Sequence, residues 1–215
     1  MKSTTAKGLM RMRIIKEAFD KKEIGALPVA SFEGRIIIVQ SETESDKAVR
    51  YLLSQQILGI DTETRPSFRK GQTHQVALLQ VSTVDTCFLF RLNMIGITES
   101  IKRLLEDRSV IKVGLSLKDD MHQLSKRADF TPGMFIELQN EVKKMGIKDM
   151  SLQKIYANLF SKRISKGQQL SNWEADTLTP QQKAYAATDA WACIMIYNEL
   201  KELKRNGYSI DKIEN

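Results

Sequence analysis

Apolar residues in this chain recur at two spacings, separated by polar breaks, and the alternation predicts its elements. Residues 35–40, RIIIVQ, form a β-branched run between Gly34 and SETES, which is the signature of a strand. Ser41 or Thr43 can cap the helix that follows, where Ala48, Leu52, Leu53 and Ile57 recur near helical spacing. Residues 57–63, ILGIDTE, predict the next strand. VALLQVST (76–83) and TCFLFRL (86–92) predict a hairpin-connected pair around Val84 and Asp85. A helix over 98–107 and a strand over 109–117 follow. The helix that begins at KDD carries Asp119 and Asp120 in its first turn. Beyond a turn at Pro132 and Gly133, a short strand leads into a helix ending at Gly146. Residues 151–160 then put Leu152, Ile155, Tyr156 and Leu159 on one helical face. The polar stretch 161–176 reads as an irregular connection. Thr179 and Pro180 open one long helix to Asn206, and Gly207 stops it.

Strands early and helices late, intermixed, predict an α/β layered domain with a mixed central sheet. A chain of 215 residues suffices for one sizeable core. Residues 1–22 hold seven Lys or Arg against two acids, Glu17 and Asp20, and read as a flexible basic arm leading into a short helix. The domain proper is expected over 23–206, with a tail at 207–215. No apolar run approaches the roughly 20 residues of a membrane helix. The basic start has neither an unbroken apolar stretch nor a small-residue cleavage site. Cys87 and Cys193 both sit in apolar runs, as buried thiols rather than a disulfide framework. Together these features predict an intracellular protein, in the cytoplasm. The formal charge of +7 suits a polyanionic partner, and equally a solvated soluble surface.

The chemistry-bearing residues lie in three separated segments. A strand puts i and i+2 on one face, so Asp61 and Glu63 project together. A helix does the same for i and i+4, so Tyr185 and Asp189 project together. Asp119 or Asp120 supplies a further carboxylate. Carboxylates gathered at one point repel unless cations sit between them, and hard divalent ions favour all-oxygen surroundings. Asp189 within YAATDAWACIMIY is costly to bury unless something neutralises it. His74 and His122 have no second His or Cys at zinc spacing. There is no P-loop and no nucleophile elbow.

Taken in order, Asp61-x-Glu63, Asp120 and Tyr185-x-x-x-Asp189 resemble the three motifs of the DEDD superfamily of 3′–5′ exonucleases. The nearest branch holds RNase D and the Werner-type exonuclease domain. The run from Leu170 to Ala190 resembles the Werner-type domain beyond the motif letters, and the likeness extends over about residues 24–204. It selects Asp120 over Asp119, because the family's ligand is followed four residues later by an apolar residue, here Leu124. It assigns the tyrosine type, since Ala184 stands where a sister subfamily has His. It implies an RNase H-like fold with a five-stranded mixed sheet between helices.

The implied activity is metal-dependent removal of 5′-mononucleotides from a free 3′ end, with DNA slightly ahead of RNA. Asp61, Glu63, Asp120 and Asp189 would hold two divalent cations, Mg²⁺ or Mn²⁺, that clamp the scissile phosphate and activate water. With a free phenol pKa of about 10, Tyr185 would orient that water rather than deprotonate it. Candidate substrate contacts are the main chain of Thr62, Arg65 just after the first motif, Lys166 on the basic connection, and Trp173, either as a stacking surface or, more often for such a residue, as packing under the site. An alternative is a catalytically silent nucleic-acid-binding module of the same fold. It fits less well, because lost catalysis shows first in the ligands and all five expected groups are present.

Overall fold

The computed structural model describes residues 12–212, so the first eleven residues of the expected arm and the last three of the expected tail lie outside it. The elements are, in order, β1 (Arg13–Lys16), α1 (Lys21–Ile24), β2 (Val29–Ala30), β3 (Arg35–Val39), α2 (Glu42–Leu52) and β4 (Ile57–Thr64). Next come β5 (Val76–Ser82), β6 (Thr86–Arg91), α3 (Leu92–Ile95), α4 (Glu99–Glu106), β7 (Ile111–Gly114) and α5 (Leu117–Ser125). The chain continues with β8 (Phe135–Glu137), α6 (Leu138–Lys144), α7 (Leu152–Phe160), β9 (Arg163–Ile164), α8 (Pro180–Asn206) and β10 (Tyr208–Asp211).

One mixed sheet of six strands, ordered β3-β6-β5-β4-β7-β8, carries the domain. β5 pairs antiparallel with both β4 and β6, and the remaining pairs are parallel. The family likeness implied five strands; β8, aligned on β7 from Lys112↔Phe135 to Gly114↔Glu137, brings the count to six. β4 lies inside the sheet and alternates between two environments. Leu58 and Ile60 join a core cluster with Leu104 and Leu105 of α4 and Leu117 and Leu124 of α5. Gly59 faces the other way, onto α8. Full burial of each such Leu or Ile contributes about 1.5–3 kcal/mol.

Local chemistry sets the helix starts. Ser41 caps α2 and Thr179 caps α8, each in a capping box closed by Glu44 or Gln182, and Pro180 takes the first turn of α8. α8 is buried on several sides because it runs between the sheet and α7. The expected strand at 109–117 is shorter, since Ser116 adopts a left-handed backbone (φ 63°) and breaks it. Two parallel pairs stand outside the main sheet. β2 joins β9, inside the stretch expected to be irregular, and β1 joins β10 from Arg13↔Tyr208 to Lys16↔Asp211. Segments assigned from sequence to an arm and a tail thus hold each other. Both cysteines are buried and unpaired, and burial pushes the Cys87 thiol up to about 12. Among the described residues no helix is long and apolar enough to cross a membrane.

Candidate active site

β4 and α8 meet where a side chain is missing. A Cβ on Gly59 would stand 1.9 Å from the Ala190 carbonyl oxygen, so only glycine lets the helix lie this close to the strand. Two residues on from Gly59 is Asp61, and one residue back from Ala190 is Asp189. The close approach therefore brings carboxylates from distant parts of the chain together. One oxygen each of Asp61, Glu63 and Asp189 lies within 4.8 Å of the others. Asp189 is only 7% exposed. Tyr185, one turn earlier on α8, sets its phenol close enough to the Asp189 carboxylate to favour its charged form, and packs at 6.0 Å between ring centroids from Trp173.

Asp120 arrives differently. Thr62, between the two acids of β4, donates from Oγ1 to Asp120 Oδ1 at 2.5 Å. Asp120 therefore stands beside the other three rather than within their group, close enough for its charge to raise the pKa of Asp61 and Glu63. Its second oxygen, Oδ2, is buried with no hydrogen-bond partner. The start of α5 is held by Glu137, which sequence reasoning did not single out. Its carboxylate accepts from Ser116 N (3.1 Å), Leu117 N (2.7 Å) and Gln139 N (3.1 Å). One side chain thus caps both α5 and α6 and fixes the left-handed turn at Ser116. Neighbouring Asp119 is exposed on the first turn of α5.

Burial comes first among the causes that raise all four carboxyls. Asp61 is pushed well above the usual carboxylate range by burial, then by the charges of Asp189, Asp120 and Glu63. Glu63 rises to about 9 through burial and the charges of Asp189 and Asp120. Asp189 rises to about 7, held back by the Tyr185 phenol and by Lys166, and Asp120 to about 6, held back by Thr62. The Tyr185 phenol moves far upward, through burial and the nearby Asp189 and Glu63 charges. A buried, all-oxygen donor set with mutual repulsion and an unpartnered carboxylate oxygen fits hard divalent cations, which neutralise what the protein leaves uncompensated.

The Glu137 contacts carry a prediction. Glu137→Ala leaves the Ser116 and Leu117 amides without their acceptor, at about 1–3 kcal/mol for each buried group. Mn²⁺ affinity measured by titration should fall about 10–100-fold, the scale for supports of metal ligands. Glu137→Gln, which keeps one acceptor oxygen, should fall between. An unchanged Mn²⁺ affinity in the alanine variant would refute the role.

The other expected residues divide. Lys166 is exposed, acts electrostatically on Asp189, and lines a cleft of about 290 Å³ with Tyr185, Asp189 and Ser116. Arg65 pairs with Glu174 at 3.2 Å. The side chain of Thr62 is committed to Asp120. Trp173 is a correction: it is fully buried against Tyr185, so no ring face is offered to a base. Its segment is tethered by buried Arg91, which donates to the carbonyls of Ala175 and Asp176. Arg91 closes a strand of otherwise buried residues, and that signal could have marked it as structural.

The 3′–5′ exonuclease family model matches residues 36–204, most of the chain. A bifunctional 3′–5′ exonuclease/ATP-dependent helicase WRN of Mus musculus is 30% identical over 188 residues, 82% of this chain and 13% of that protein. A 3′–5′ exonuclease of Arabidopsis thaliana is 33% identical over 196 residues, 82% of this chain and 67% of that protein. The chain thus spans about an eighth of one of these curated relatives and two thirds of the other. Among solved structures, the Nibbler EXO domain of Aedes aegypti superposes with a TM-score of 0.75 at 18% identity. That superposition covers 84% of this chain and 95% of that one, a likeness of fold. With the family model running from β3 through most of α8, across every carboxylate of the cluster, the chain belongs to the 3′–5′ exonuclease family.

Proposed function

We propose that this chain removes 5′-mononucleotides from the 3′ end of nucleic acid by a two-metal-ion hydrolysis. One observation carries the reading: Asp61, Glu63 and Asp189 converge within 4.8 Å, with the unpartnered oxygen of Asp120 beside them. Asp61, Glu63, Asp189 and Asp120 are the groups that would hold Mg²⁺ or Mn²⁺. Bound cations would supply positive charge to the scissile phosphate and make water a stronger nucleophile near neutral pH.

The protein's own groups do the rest. The Tyr185 phenol, raised far above neutrality, keeps its proton, so it orients the attacking water and does not serve as its base. Lys166, exposed on the rim, would offer a cation to the phosphate, and the main chain of Thr62, between the two acids of β4, would be the contact for the terminal nucleotide. The bond that breaks joins phosphorus to the 3′-oxygen of the penultimate nucleotide, which leaves as the new 3′ end. The flank resembling the Werner-type domain favours DNA slightly over RNA.

A 5′-labelled oligonucleotide incubated with Mg²⁺ or Mn²⁺ should shorten as a ladder, whereas a 3′-labelled one should release labelled mononucleotide from the first time point. Matched DNA and RNA strands rank the two polymers. Failure to shorten either polymer with either metal would rule the reading out.

A further inference from the structure

β5 is buried along its whole length and carries apolar side chains on both faces, with one long polar exception. Gln80 is fully buried, and neither its amide nitrogen nor its amide oxygen has a hydrogen-bond partner. Among the described residues it is the one side chain with two polar atoms so orphaned. Ser82, the other polar residue of β5, donates its hydroxyl to the Thr83 carbonyl. Buried polar groups in folded proteins are nearly all paired, so an orphan calls for an explanation.

The sheet register supplies one. Gln80 lies directly opposite Asp61 in the antiparallel pair of β5 with β4, so both side chains leave the same face, with Cβ atoms about 4.5–5.5 Å apart. That face is the one turned to α8. Gly59 meets Ala190 there, and Leu78, beside Gln80 on β5, and Leu89, opposite it on β6, pack with Ala186 and Ala187. Leu79 and Val81 join the core on the other face. The Gln80 amide thus approaches the Asp61 carboxylate from the β5 side. Asp120 already takes a hydroxyl from Thr62, whereas no side chain among the described residues donates to Asp61.

Resting on the exonuclease reading, in which Asp61 is a metal ligand, we propose that Gln80 is a positioning residue for that ligand. A carboxyl must be deprotonated to hold a cation, and a carboxylate is the strong acceptor that the amide lacks. Rotation about the Gln80 side-chain torsions lets Nε2 donate to one Asp61 oxygen and leaves the other oxygen for the cation. The donation fixes the orientation of the carboxylate, as supporting partners do around metal ligands generally. In the metal-free fold the amide makes no bond, and its burial there is unfavourable. Gln80 serves the loaded site rather than the fold.

The test is Gln80→Met in the full chain, which keeps much of the length and volume but has no N–H. Mn²⁺ affinity measured by titration should fall about tenfold or more, while the melting temperature in EDTA stays level or rises. A residue that only packs would lower the melting temperature instead. Equal Mn²⁺ affinity, or a loss of affinity that comes with a lower melting temperature, overturns the proposal. NMR of the wild type gives a second reading that needs no variant. On adding Mg²⁺, one of the two Gln80 Nε2 protons should move downfield as it meets the carboxylate, and an amide unmoved by Mg²⁺ overturns the proposal. Oligonucleotide hydrolysis by the wild type separates the role of Gln80 from the exonuclease activity. A wild type that hydrolyses and binds Mn²⁺, beside a Gln80→Met of unaltered affinity, sinks the role of Gln80 alone. A wild type that binds no Mn²⁺ and shortens no strand sinks both.

Discussion

Asp189→Asn should cut oligonucleotide hydrolysis by about a hundredfold to a thousandfold, while the metal-free protein at about pH 8 becomes more stable, not less. The amide has nearly the shape of the carboxylate, so α8 keeps its approach to Gly59 and the packing of Ala186 and Ala190. What disappears is a buried negative charge facing Asp61 and Glu63. In catalysis that charge is needed, and losing one electrostatic contributor to a phosphoryl or acyl transition state commonly costs about 10²–10³ in rate. In the absence of metal it is a source of repulsion, and above its pKa of about 7 its ionisation opposes folding. Activity and stability should therefore move in opposite directions. Steady-state kinetics with Mn²⁺ and thermal melting in EDTA check both. Activity within tenfold of wild type would show that Asp189 holds no essential metal.

The second large effect is on stability against pH. A carboxyl whose pKa is raised by folding keeps its proton in the folded state after the unfolded chain has released it. Unfolded Asp and Glu titrate near about 3.9 and 4.3, so this contribution is complete below that range. It is lost as pH rises through about 6 for Asp120, about 7 for Asp189 and about 9 for Glu63. In EDTA, the melting temperature should fall from about pH 6 to about pH 9, by on the order of 5 °C if the loss is one or two kcal/mol. Mg²⁺ or Mn²⁺ should restore it by binding the folded state alone, and more strongly at the higher pH, where the ligands are already deprotonated. A melting temperature that is flat across this range, or insensitive to both metals, would mean that the four carboxyls neither repel one another nor bind cations.

Much of the site was readable from residues. Asp61 and Glu63 stand two apart at the end of an apolar strand, and Tyr185 and Asp189 stand four apart on a helix, so each pair shares a face through local geometry alone. Asp120 needed the family likeness to separate it from Asp119. For Trp173 the residues left stacking and packing both open, and only the tertiary structure, which buries it against Tyr185, decides for packing. Glu137 was missed for the same reason: its partners Ser116 and Leu117 are about twenty residues away and belong to another element.

By itself the sequence determined the elements and their caps, the mixed α/β layering, and which acids pair on each element. These follow from periodicity and from side chains bonding to their own neighbouring backbone. Only the tertiary structure decided that α8 closes onto Gly59, that Thr62 sets Asp120 beside the other acids, that Glu137 anchors α5, and that β1 and β10 hold each other. Those contacts join residues far apart in the chain, and they form because burying the apolar faces of whole elements leaves few ways to bring the backbones together. No single segment carries that information.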